Sequence, residues 1–129
     1  MSQVKVYALR TQLEFRKSQL SDTIHACVME VLGLPPGKRA HRFLALEPDD
    51  FFMPDGRSSA YTIVEILMMS GRTTETRKRL VRRLYERLEQ DAGLAPVDVE
   101  ICIIESPPEN WGFRGFHGDE AQLPYPVKK

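Results

Sequence analysis

The chain contains an internal repeat, and that repeat limits the folds open to it more than any other feature. Gly33-Leu34-Pro35-Pro36 lines up with Gly93-Leu94-Ala95-Pro96, and Glu47-Pro48-Asp49-Asp50-Phe51 loosely echoes the stretch from Glu105 to Trp111, at a period near 60 residues (93 − 33 = 60). Two copies of that length are two supersecondary units, not the short units of a solenoid.

Each copy reads as β-α-β. Val4 to Leu9 alternates, with Val4, Val6 and Ala8 on one face and Lys5, Tyr7 and Leu9 on the other, which is the period of a strand. Thr11 and Glu14 have capping-box spacing, and Leu20, Ile24, Cys27, Val28 and Val31 recur at helical spacing, which predicts a helix from about residue 12 to 32. Gly33 and the two prolines after it end that helix, because glycine suits the left-handed cap and proline cannot continue the ladder. Arg42 to Leu46 reads as a short strand, followed by a turn-rich stretch from Glu47 to Ser59. Tyr61 to Met69, β-branched at Thr62, Ile63, Val64 and Ile66, is the most strand-like segment of all. Gly71-Arg72-Thr73 turns the chain into a second helix whose stripe is Leu80, Val81, Leu84, Tyr85 and Leu88. Gly93-Leu94-Ala95-Pro96 ends it, Val97 to Ile104 supplies a fourth strand, and the tail from Glu105 is rich in proline, glycine and aromatic residues.

Crossovers between parallel strands are right-handed, so two such units side by side predict an α+β (α/β-like) fold. It would be one four-stranded mixed sheet with two helices on one face. The 129 residues suffice for one domain with its own core, its halves at about 1–59 and 60–129. Tyr61 to Met69 and Val99 to Ile104 carry apolar side chains on both faces, so the face without helices predicts a homo-oligomer.

Charge and motifs narrow the function classes. Lys plus Arg number 18 and Asp plus Glu 18, a formal charge of zero that argues against a general polyanion binder. Lys5, Arg10, Glu14, Arg16, Lys17 and Asp22 interrupt any signal-peptide core, and no uncharged run approaches bilayer length, so a cytoplasmic protein without membrane contact is expected. Cys27 and Cys102 lie in apolar segments without metal spacing or a CxxC motif and read as core thiols. His25, His41 and His117 share no ligand spacing; any of them could act as an acid or base, with His117 best placed because it follows the tail aromatics. There is no phosphate-binding glycine loop and no GxSxG elbow, so no metal and no other cofactor is expected.

The second helix is locally basic. From Arg72 to Arg87 seven cations face Glu75 and Glu86, a surplus of five (7 − 2 = 5), and Arg79, Arg82, Arg83 and Arg87 could align in a stripe that meets phosphates. The tail from Asp98 to Glu120 holds six acids against Arg114 alone. Those acids can pair with the helix, so no nucleic-acid partner is expected.

Gly33-Leu34-Pro35, Gly56-Arg57-Ser58-Ser59-Ala60, Gly71-Arg72-Thr73 and Glu109-Asn110-Trp111-Gly112-Phe113, in that order along a duplicated β-α-β chain, resemble the tautomerase superfamily. Within it, the chain is most similar to the long fused-repeat members related to malonate semialdehyde decarboxylase. The resemblance spans nearly the whole chain and implies a tautomerase/MIF-like homotrimer whose sheets pack around a central axis.

That family's chemistry rests on an amino-terminal proline exposed by loss of the initiator methionine, whereas here Ser2 and Gln3 follow Met1. In an apolar pocket beside cations, a terminal secondary amine is destabilised as an ammonium and becomes a neutral base at neutral pH. Ser2, once Met1 is removed, would offer a primary α-amine that already starts near a pKa of about 8, a base of different geometry and basicity.

The resemblance further implies that Arg72 binds a substrate carboxylate, with Arg77 one turn on as a second candidate and Trp111 and Phe113 as pocket walls. The N–H groups at the start of the second helix add to the pull of Arg72 on an anion. Decarboxylase-like members place a water-activating acid after the first helix, where this chain has Gly37, Lys38 and Arg39. That exchange disfavours hydration and decarboxylation and favours an anionic ligand. Two readings follow: an isomerase or related lyase acting on a small 2-oxo or unsaturated carboxylate with the Ser2 amine as base, or a non-catalytic member that binds a small anionic metabolite or partner.

Overall fold

The first strands of the two repeats pair with each other, and this pairing joins the halves. β1 (Ser2–Leu9) and β3 (Thr62–Met69) run antiparallel, from Ser2 opposite Met68 to Tyr7 opposite Ile63. β2 (His41–Leu46) lies parallel to β1 on one side and β4 (Val99–Ser106) parallel to β3 on the other, giving a mixed sheet in the order β2-β1-β3-β4. The computed structural model describes residues 2–123, 125 and 126.

α1 (Arg10–Leu32) and α2 (Thr74–Ala92) carry the two crossovers and cover one face of the sheet. Val4, Val6, Val64, Ile66 and Met68 meet Leu20, Ile24 and Val28 of α1 and Leu80, Leu84 and Leu88 of α2, all at most 2% exposed. Gly33 and Gly93 close the helices with φ of 74° and 67°, the left-handed conformation their positions demand. The repeat holds in three dimensions. Ser2 and Thr62, Gly33 and Gly93, and the 3-10 turns Pro48–Asp50 and Pro108–Asn110 are each 60 positions apart (62 − 2 = 60).

The other face, which carries no helix, presents Lys5 and Tyr7 beside Ile63, Glu65 and Leu67, with Leu44 and Ile104 on the flanking strands. Tyr7 donates to Glu65 Oε1 at 2.7 Å. Leu44 and Ile104 are 37% and 40% exposed, and Cys102, expected in the core, is exposed on this same open face. Cys27 is fully buried. Among the described residues no helix is long and apolar enough to cross a membrane.

Four local readings change. α1 begins at Arg10, so Thr11 lies inside the helix and the capping box does not form; instead Arg10 holds Glu14 at 2.6 Å and Glu47 at 2.7 Å, and these pairs extend the first turn backwards. β4 begins at Val99 because Pro96–Asp98 is a 3-10 turn pinned by the buried Asp98 carboxylate, which accepts from Ser58 N at 2.7 Å and Ser58 Oγ at 2.6 Å. The tail folds into a short hairpin, β5 (Gly112–Phe113) and β6 (Phe116–His117). Arg114 and Gly115 between them have φ of 55° and 83°, the positive pair of a two-residue hairpin turn. Finally, two histidines that share no spacing in the sequence meet in space.

His25 and His41 stack edge to face with ring centroids 6.0 Å apart. His25 Nε2 bonds the Pro36 carbonyl oxygen at 2.9 Å, and Ser21 Oγ lies 2.8 Å from His41 Nδ1, tying α1 to the start of β2. Burial, with His25 and Arg39 adding to it, pushes His41 down to about 4 from 6.5. Its native form is therefore neutral, and the unfolded chain binds the extra proton between those values, so stability is full above pH 6.5 and falls as pH drops towards 4. The loss approaches on the order of 3 kcal/mol at the acid end. Urea melts at pH 7 and pH 4.5 should show the advantage of the wild type over His41→Asn shrinking by that order; an unchanged difference would remove His41 as the cause.

Candidate functional site

The antiparallel join places the beginning of β1 beside the end of β3. Ser2 is opposite Met68, and the chain continues from Met69 through Ser70 and Gly71, with φ of 135°, to Arg72. β4 is parallel to β3, so its last residues, Glu105 and Ser106, reach the same end opposite Met68 and Met69. Ser2, Arg72, Arg77 and Trp111 thus gather at one end of one sheet. Ser2 shares the helix-covered side of β1 with Val4 and Val6 and is 5% exposed. Met1, whose removal would free the Ser2 nitrogen, lies outside the described residues.

Arg72 sits just before α2, whose first turn is capped by Thr73 Oγ1 accepting from Thr76 N at 3.1 Å. It is 4% exposed. Nη2 donates to the Pro126 carbonyl at 3.3 Å, while Nε and Nη1 are buried without a partner among the described residues. Burial holds the guanidinium below its usual range, with Tyr125 and Glu105 pulling weakly the other way. An ion stripped of water and given one neutral acceptor is costly, and a carboxylate is the group that would satisfy it.

Arg77 is different. Nη1 donates to the Arg72 carbonyl at 2.9 Å and to Glu105 Oε1 at 3.1 Å, and Nη2 donates to Thr74 Oγ1 at 3.1 Å. Those bonds fasten the first turn of α2 to the end of β4, and they hold the backbone from which Arg72 projects. Beyond Arg77, a groove of about 400 Å³ opens between Lys78, Val81, Arg82, Ile103 and Glu105.

The Ser106 carbonyl accepts Ser70 N at 2.9 Å and Trp111 Nε1 at 3.2 Å, so one oxygen binds the ends of β3 and β4 to the indole. Trp111 is half-buried there. Phe113 stands one step further out, on the hairpin, under Arg114 at 5.4 Å from its ring centroid and beside Phe116 and His117 around a separate groove. His117 is exposed on that hairpin.

Three residues of this region carry no sequence signal. Tyr125 is 7% exposed within the core and Pro126 caps Arg72, although the last residues of a chain are ordinarily the least tied down. Gly118 is the third: a Cβ there would lie 2.4 Å from the Pro108 carbonyl oxygen, 2.8 Å from Met69 Cε and 3.0 Å from Trp111 Cβ. The arginine stripe of α2 is engaged locally. Arg82 pairs with Glu75, Arg83 with Glu30 and Glu86, and Arg87 with Asp91, so of the stripe and its neighbours only Arg77 takes an acid from the tail segment, Glu105.

Gly118→Ala must push the Pro108 turn or Trp111 aside. The expected cost is about 1–3 kcal/mol of overpacking, with a shift in Trp111 fluorescence emission. A variant of unchanged denaturation midpoint and unchanged emission would show that the loop yields freely.

Comparison with known proteins agrees with this architecture. The family model described as tautomerase enzyme matches residues 38–114, more than half of the chain. The probable tautomerase YusQ of Bacillus subtilis (strain 168) is 25% identical over 115 residues, 85% of this chain and 91% of that protein. The structure of FG41 malonate semialdehyde decarboxylase inhibited by 3-bromopropiolate is similar with a TM-score of 0.77 and 28% identity, over 86% of this chain and 88% of that one. A fused 4-OT solved as an asymmetric trimer shares the fold with a TM-score of 0.79 at 17% identity, over 91% and 96% of the two chains. A duplicated β-α-β sheet with antiparallel inner strands, matched by both the family model and these relatives, places the chain in the tautomerase family.

Proposed function

We propose that the protein binds a small 2-oxo or unsaturated carboxylate through Arg72 and moves a proton on it slowly, as an isomerase of the tautomerase type. The observation that carries this reading is the buried guanidinium of Arg72, whose Nε and Nη1 have no partner among the described residues. The similar decarboxylase of known structure acts on malonate semialdehyde and is inhibited by 3-bromopropiolate, both carboxylates, which supports the same ligand class.

In this reading the C1 carboxylate of the ligand pairs with Arg72. The free α-amine of Ser2 takes the proton from the enol hydroxyl and, as the ammonium, delivers one to C3, leaving the ketone and a neutral amine. The ligand's negative charge stays on the guanidinium side throughout, where burial strengthens the attraction. Trp111 acts as the wall that keeps water from the reacting carbon, whereas Phe113, on the hairpin beside a separate groove, does not reach it. A homotrimer, as in the solved fused 4-OT, would cover the sheet face that carries Leu44 and Ile104.

Ser2 in the place of the family's proline favours a second reading, a non-catalytic member that keeps the anion pocket. Enol-to-keto conversion of phenylpyruvate separates the two, with intact mass reporting the state of Met1. For the isomerase, wild type turns over measurably, and Arg72→Ala loses tenfold or more in kcat/KM, about the worth of one charge-assisted hydrogen bond. A rate gained only by Ser2→Pro would mark a pocket that lacks its base, and no rate in any variant would end the isomerase reading.

A further inference from the structure

We propose that Tyr125 and Pro126 form a built-in strap over the anion site, so that a carboxylate arriving at Arg72 must displace it. The inference rests on the reading of Arg72 as the carboxylate-binding group. A guanidinium grips a carboxylate with two parallel N–H donors, either Nε with Nη2 or Nη1 with Nη2. Nη2 belongs to both forks, and Nη2 is the nitrogen that donates to the Pro126 carbonyl.

That contact is weaker than what it excludes. At 3.3 Å it is long for a bond from a cation, and its acceptor is neutral. The other two nitrogens have no partner among the described residues at 4% exposure, so Tyr125 and Pro126 shut Arg72 in without satisfying it themselves. A carboxylate supplies two charged oxygens to the same fork.

The strap is also held in a way that lets it leave. Proline brings no N–H, so Pro126 can accept from Arg72 but adds no ladder bond of its own. Its ring rests near the left-handed cap of α1, where a Cβ on Gly33 would lie 3.9 Å from Pro126 Cδ. Tyr125, 7% exposed and packed with the core, is the anchor. One buried ring and one long hydrogen bond therefore bridge the end of α1 to the start of α2.

Hydrogen–deuterium exchange of the full chain, with phenylpyruvate as the probe, tests this. Saturating phenylpyruvate should speed exchange in the C-terminal peptide, and a chain ended at Leu123 should bind the probe about two- to tenfold more tightly, the weight of one neutral hydrogen bond. Bound probe with slowed or unchanged exchange in that peptide overturns the strap and leaves Arg72 standing. If Arg72→Ala binds as well as wild type, the site reading itself fails. Should the shortened chain not fold, exchange in the full chain decides alone. If the full chain binds no probe, binding by the shortened one supports the strap, and binding by neither removes both readings.

Discussion

The antiparallel pairing of β1 with β3 is the constraint on which the rest of the structure depends. Inside each repeat the strands are parallel, as a helical crossover requires, and only at this seam does the direction reverse. The register is fixed by burial. Val4 opposite Ile66 and Val6 opposite Val64 are all at most 1% exposed, and a slip of one residue would turn Lys5 and Tyr7 into that core. The reversal brings the chain's first described residue against the last residues of β3. A site assembled from Ser2 and Arg72, 70 positions apart (72 − 2 = 70), is thus a product of topology rather than of any local sequence pattern.

Arg72 and Arg77 show how one turn of helix can separate a sparsely bonded cation from a fully engaged one. Arg77 is partly exposed and makes three bonds, to a carbonyl, a hydroxyl and a carboxylate, so its charge is spent on holding α2 to β4. Arg72 is buried and has one among the described residues, with Glu105 acting on it only through space. A buried charge without a directly bonded opposite charge lowers stability. The fold tolerates it because the adjoining sheet is well packed, and because Arg77 fixes the backbone carbonyl of Arg72 itself.

Local rules were enough for much of this structure. The apolar stripes of both helices, the glycine caps at Gly33 and Gly93, and the alternation along β1 and β3 name the core because each depends on residues within one element. The repeat supplied the architecture. Failures occur where a distant residue decides. Thr11 loses its cap because Glu47 recruits Arg10 across 37 positions, and Val97 leaves the fourth strand because Ser58 holds Asp98. Cys102 is exposed because none of the described residues covers that face. At the site, Arg72 and Trp111 could be named from motifs, but the roles of Glu105, Gly118 and Tyr125 come from contacts that no spacing encodes. His25 and His41 meet for the same reason, through the fold of α1 against β2.

The duplication also lets the two ends of the sheet be compared position by position. By the 60-residue offset, Gln12 occupies in the first half the place of Arg72 (72 − 60 = 12), Thr62 that of Ser2, and Phe51 that of Trp111. Gln12 donates to Ser59 Oγ at 3.5 Å and accepts from Arg16 Nε at 3.2 Å, and Phe51 packs on Tyr61 with centroids 5.3 Å apart. At that end Asp98 is held by the neutral donors of Ser58, and Glu100 accepts from Tyr61 at 2.6 Å and Arg57 at 3.1 Å. The two ends of one pseudo-symmetric sheet therefore hold their cations differently. At one, Arg57 reaches the Glu100 carboxylate although its Nε is buried without a partner among the described residues; at the other, Arg77 pairs with Glu105 while the buried Arg72 has one neutral acceptor among those residues, the Pro126 carbonyl. The scaffolds are equivalent, so the difference lies in the residues that the two copies place at their ends rather than in the backbone that carries them.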